Sequence, residues 1–121
     1  MEKIISTTRR PDITFHSSGE IYITARVARI LDLDKDSCIN VAIDKGEYLL
    51  VAEHYGGMIG NHTGRCYPTN SGGRYFRANS VRLCKAILEA CGVERRAALM
   101  CGEAILINGK PHLPIITRTT L

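Results

Sequence analysis

Arg65, Arg74, Arg77, Arg82, Lys85, Arg95 and Arg96 gather in the second half of a 121-residue chain, and the chemistry open to such a set is holding phosphate. The net charge of +4 is unevenly spread: residues 1–52 hold seven Lys/Arg against eight Asp/Glu, and residues 53–121 hold nine against four. Phosphate contacts supply affinity and salt dependence, whereas reading a sequence needs side chains that pair with base edges. Position and flanking charge assign Arg74 and Arg82, with Lys85 nearby, to phosphate, and Arg77 with Asn79 to bases. A soluble protein with an ordinary solvated face has a similar composition, so charge alone leaves that alternative open.

The other chemistry-bearing residues sit in a glycine-rich stretch, 54–73, without periodicity. His54, His62 and Cys66 are acceptable zinc donors by type, but they are three and lack paired Cys-x2-Cys spacing. Gly60-x3-Gly64-Arg65 lacks the lysine, the spacing and the following helix of a phosphate-cradling loop. A Cys66–His62 nucleophile pair has no identifiable orienting group. His16 and His112 read as ordinary strand or turn residues. The five cysteines are odd in number and mostly on apolar stripes, as free buried thiols are. No metal, no cofactor and no enzymatic activity are expected.

The elements that would position the basic residues follow from hydrophobic spacing. Ile21 and Ile23 alternate as in a strand, then Val27, Ile30, Leu31 and Leu33 take a helical period, with Thr24 as N-cap between them. Alternation resumes at Ile39, Val41 and Ile43, and Asp44-Lys45-Gly46-Glu47 turns the chain into Tyr48–Val51. The second half echoes this, with Gly73–Val81 lying over Gly19–Val27. A helix follows, carrying Val81, Cys84, Leu88 and Cys91 on one stripe, with Asn79 or Ser80 as cap and Gly92 as stop. Strands at 97–101 and 104–107 and an Asn108-Gly109 hairpin complete it. The expected class is mostly β with two short-to-medium helices (α+β), built as possibly duplicated β-α-β-β units. Its divisions are a half-barrel unit at 1–53, a Gly-rich loop or linker at 54–72 and a basic unit at 73–121. A small α+β domain also produces such echoes without duplication.

The run 19–52 resembles the N-terminal domain of the AbrB/SpoVT group of regulators and the related MazE and MraZ proteins. The likeness is carried by Gly19, the Ile21-x-Ile23 pair, a helix opening at Thr24 where the family usually has proline, the Leu31-x-Leu33 exit, the Asp34-Lys35-Asp36 turn and the strand from Cys38 to Asp44. The resemblance implies a swapped-hairpin β-barrel, made of two such units, that grips DNA with basic residues. It carries Arg29 over as a helical contact, and it places Arg74 after a glycine where the family uses arginine. In the first unit that place is Glu20, whose carboxylate repels phosphate.

Together these readings predict a DNA-binding transcriptional regulator or mobile-element accessory protein. As a homodimer it would present Arg29, Arg74, Arg77, Asn79, Arg82 and Lys85 to double-stranded DNA. The dimer is expected because each unit would otherwise expose Ile21, Ile23, Ile39, Val41 and Ile43. The alternative is a non-enzymatic protein-interaction module on the same fold, antitoxin-like or an assembly protein, with a protein partner in place of DNA. With no long apolar run and no signal-like N-terminus, the expectation is a cytoplasmic protein without membrane contact.

Overall fold

The computed structural model describes residues 11–34, 37–54, 64–69 and 75–118. It is mostly β, with 49% in strands and two helices. In chain order the elements are β1 (Ile13–His16), β2 (Glu20–Ile23), α1 (Ala25–Leu31), β3 (Ser37–Asp44), β4 (Glu47–His54), β5 (Gly64–Arg65), β6 (Tyr67–Pro68), β7 (Phe76–Asn79), α2 (Val81–Cys91), β8 (Arg96–Leu99), β9 (Ile105–Ile107) and β10 (Lys110–Ile115). No helix among the described residues is long and apolar enough to cross a membrane.

Both predicted tight hairpins form, and both use left-handed backbone at two successive residues. Lys45 and Gly46 have φ of 52° and 80°, and Asn108 and Gly109 have 53° and 76°. That geometry matches the right-handed twist of the flanking strands. The helix caps differ from each other. Ser80 Oγ accepts from the N–H of Leu83 at 3.1 Å, so it caps α2 as expected. Thr24 occupies the corresponding place before α1 without capping it, because its hydroxyl donates instead to the Asp12 carbonyl at 3.1 Å.

Five-stranded antiparallel sheets run β6-β7-β2-β1-β8 and β5-β3-β4-β10-β9. Each draws strands from both halves of the chain. Ile21 pairs with Ala78 across β2 and β7, Phe15 with Ala97 across β1 and β8, and Leu50 with Leu113 across β4 and β10. Three crossings join the sheets. α1 leads from β2 in one to β3 in the other, Cys66 separates β5 from β6, and Cys101 bridges to Ile115 on the way from β8 to β9. Residues 64–65 and 67–68, inside the stretch read as a loop, are therefore strand, with Cys66 between them fully buried.

This interleaving alters the reason for expecting an intertwined dimer. Ile21, Ile23 and Ile39 are covered within one chain, by 1% exposure or less, in a core that also holds Phe15, Leu50, Ile87 and Leu113. Of the five residues expected to need a partner, the two in the distal part of β3 stay open, Val41 half-buried and Ile43 exposed. The stripe of α2 is also turned from the expected one: Leu83, Cys84, Ile87 and Leu88 are buried, Cys91 is half-buried and Val81 is exposed. The echo between halves is shifted too, because β2 with its cap Thr24 and β7 with its cap Ser80 correspond at a spacing two residues longer than the overlay of Gly73 on Gly19.

Asp12, missed as a structural residue, ties the start of β1 to both halves. Its carboxylate is buried, accepting from Arg26 Nη1 at 3.0 Å and from the N–H of Cys101 at 2.9 Å. Its main-chain N–H donates to Leu99 O at 2.9 Å, and its carbonyl accepts from the Thr24 N–H at 3.2 Å.

Gly19 is required by conformation and by space. Its φ is +102°, and an added Cβ would lie 2.9 Å from both Asn79 Oδ1 and Val81 Cγ2. Gly19→Ala is therefore expected to lower stability by about 1–3 kcal/mol, read from the shift of a urea unfolding midpoint at unchanged slope.

Candidate nucleic-acid interface

Alternation along the strands of the first sheet decides which side chains face outward. Ile13, Phe15, Ile21, Ile23, Ala78, Ala97 and Leu99 point into the core. The opposite face takes Thr14 and His16 from β1, Glu20 and Tyr22 from β2, Arg77 and Asn79 from β7, and Arg96 from β8. Register brings these into rows. Tyr67 of β6 stands opposite Arg77, Arg77 opposite Tyr22, and Tyr22 opposite Thr14. In the neighbouring row Asn79 stands opposite Glu20, and His16 is opposite Arg96.

Tyr22 is the centre of this face. The guanidinium carbon of Arg77 lies 5.9 Å from its ring centroid, a cation–π distance. The His16 ring meets it edge-on, with centroids 5.0 Å apart and planes at 87°. Its hydroxyl donates to Glu20 Oε2 at 2.5 Å. That hydrogen bond, then desolvation and the Glu20 charge, hold the Tyr22 hydroxyl above its usual range against the opposing pull of Arg77. Tyr22 and Tyr67 are 38% and 42% exposed, so both rings can reach a ligand. An arginine and a tyrosine hydroxyl side by side on an exposed face can hydrogen-bond the phosphates or the base edges of a duplex.

The predicted contact residues divide between places. Arg77, half-buried, and Asn79, exposed, lie on this face. Arg82 and Lys85 are exposed on α2, which follows directly from the Asn79 end of β7. That end is fixed against the first half, since the Ser80 N–H donates to Gly19 O at 2.8 Å and the Cys84 thiol to Glu20 O at 3.6 Å. Arg29 is exposed on α1, which follows the Ile23 end of β2. Because β2 and β7 are antiparallel, with Ile23 opposite Phe76 and Glu20 opposite Asn79, the two helices leave from opposite ends of the pair. Arg29 is therefore not brought together with Arg82 and Lys85. Arg74 lies outside the described residues.

Tyr22, His16, Tyr67 and Arg96 complete the face. Arg96 stood in the basic set without a contact assigned to it, and for Tyr22 the signal was its outward phase between Ile21 and Ile23.

The cysteines serve packing. Burial pushes the thiols of Cys66 and Cys101 up to about 12 and that of Cys84 to about 11, so all three are protonated at neutral pH. Cys66 is fully buried, so its sulfur is not an accessible nucleophile; His62 lies outside the described residues. Among the described residues no group of three or more His, Cys, Asp and Glu is placed to hold a metal ion. In comparisons with known proteins the chain matches no family model, no curated protein and no solved structure.

Proposed function

We propose that the chain is a DNA-binding regulator or mobile-element accessory protein whose two halves form a swapped-hairpin barrel within one chain. It grips duplex DNA with the outer face of the β6-β7-β2-β1-β8 sheet. The fold reading is supported by the pairing of equivalent strands across halves, β2 with β7 and β4 with β10, and by the matched hairpin turns at Lys45–Gly46 and Asn108–Gly109. The observation that carries the functional reading is the exposed row Tyr67–Arg77–Tyr22, with Asn79 beside it and Arg82 and Lys85 on the helix that follows. In this arrangement Arg77 and Asn79 address base edges, and Arg82 and Lys85 hold phosphate.

Fluorescence anisotropy with labelled duplexes over a salt series tests the assignment. Wild-type affinity is expected to fall steeply with salt, and Arg82→Ala to lower the log–log slope by about one, since each phosphate contact contributes about 0.9. Arg77→Ala is expected to weaken the preferred duplex by about 10- to 100-fold, corresponding to about 1–3 kcal/mol for a base contact, with the slope little changed. Absence of duplex binding at low salt, or indifference to both substitutions, refutes the proposal.

A further inference from the structure

We propose that two copies of this chain associate edge to edge through β9, antiparallel about a two-fold axis at Leu106. This is independent of DNA binding. β9 ends the order β5-β3-β4-β10-β9, and among the described residues its strand partner is β10 alone. Ile105, Leu106 and Ile107 are 44%, 72% and 37% exposed. Residues 104–109 contain no charge and no proline, although exposed edges ordinarily carry such groups to block pairing.

The free hydrogen-bonding groups of this edge can be placed. The Gly102 N–H donates to Pro114 O at 2.8 Å, so on β10 the carbonyls of Pro114, His112 and Lys110 turn toward the β9 side by strand alternation. Ile105 and Ile107, opposite His112 and Lys110, turn back toward β10. Leu106, opposite Pro111, therefore directs its N–H and C=O away from the sheet. Pro111 has no N–H that a bond at that pair would require.

The sequence of the edge points to a second copy as its occupant. Ile105-Leu106-Ile107 reads identically in both directions, so with Leu106 opposite the second copy's Leu106, each Ile105 meets an Ile107. The two Leu106 residues exchange both backbone hydrogen bonds. A two-fold axis normal to the sheet keeps the isoleucines on one face and the leucines on the other, matching apolar with apolar on both. Glu103, before the strand, and the second copy's Lys110, after its turn, flank this contact with opposite charges. An isologous contact uses each edge once and stops at two chains. A three-residue strand buries less than a standard interface, so the dimer is expected to be reversible, with Kd on the order of 10–100 µM.

Sedimentation velocity of the full chain, from a few micromolar upward to several hundred, is the test. Wild type is expected to pass from monomer to dimer and no further. Leu106→Lys should remain monomeric throughout, with an unchanged far-UV spectrum because the side chain is exposed. Leu106→Pro removes the outward N–H without breaking a bond to β10, and it should weaken the dimer as well. Ile43→Lys, on the other open strand end, should leave the dimer intact. A wild-type monomer across the range, assemblies larger than two, dissociation by Ile43→Lys, or unaltered dimerisation of both Leu106 variants would each overturn the proposal.

Discussion

Asp12→Ala is expected to lower stability by about 2–4 kcal/mol, toward the upper end for single substitutions. The carboxylate is 3% exposed and serves two donors from distant parts of the chain, Arg26 in α1 and the N–H of Cys101 after β8. Alanine leaves that N–H without its acceptor, and a buried unsatisfied donor costs about 1–3 kcal/mol. The Arg26 side chain is 43% exposed, so solvent takes over much of its charge and the lost ion pair contributes the smaller share. Asp12→Asn separates the parts: an amide oxygen can still accept from Cys101, so its loss should be about half as large. Urea denaturation of the three proteins reads both values. If Asp12→Ala lies within about 0.5 kcal/mol of wild type, as a neutral surface substitution would, Asp12 is not the tie between α1 and the crossing strand.

Glu20→Arg is expected to tighten duplex binding about tenfold at low salt and to steepen the salt slope by about one, because in the proposed complex it replaces a carboxylate facing phosphate with a cation. The position is favourable for this. Glu20 lies opposite Asn79, between the β7 face and the start of α2, and its carboxylate is the acceptor of the Tyr22 hydroxyl. Removing that acceptor also lets the Tyr22 hydroxyl return toward its ordinary range, since the hydrogen bond to Glu20 is the first cause of its upward shift. A spectrophotometric titration of tyrosine ionisation would follow that change without DNA. Anisotropy follows the affinity. Unchanged affinity together with a shifted tyrosine titration would mean that the substitution is in place and that this face does not meet DNA.

The candidate site was only partly legible. Arg77, Asn79, Arg82 and Lys85 stood out as basic or polar residues in the basic half; the first two fall on one face, and the other two are exposed on the helix that follows β7. Arg29 entered through a family likeness, and the antiparallel pairing of β2 with β7 sends its helix to the other end. Tyr22 and His16 belong to the half whose net charge is −1, so a search by charge passed over them. The meeting of Tyr22 with Arg77 joins residues more than fifty positions apart, which no local pattern records.

By itself the sequence determined the local elements: the strands β2 and β3, the two hairpin turns, the Ser80 cap and the Gly92 stop. Such features arise among residues a few positions apart, where backbone sterics and side-chain hydrogen bonds act directly. The tertiary structure alone decided which strands are neighbours. Backbone N–H and C=O groups are alike at every residue, so an apolar face specifies that a strand is buried but not beside which strand. The placement of β2 beside β7 and β4 beside β10 was settled by closing one core around Phe15, Leu50 and Leu113. That same closure left β9 at an edge, its apolar residues exposed on both faces.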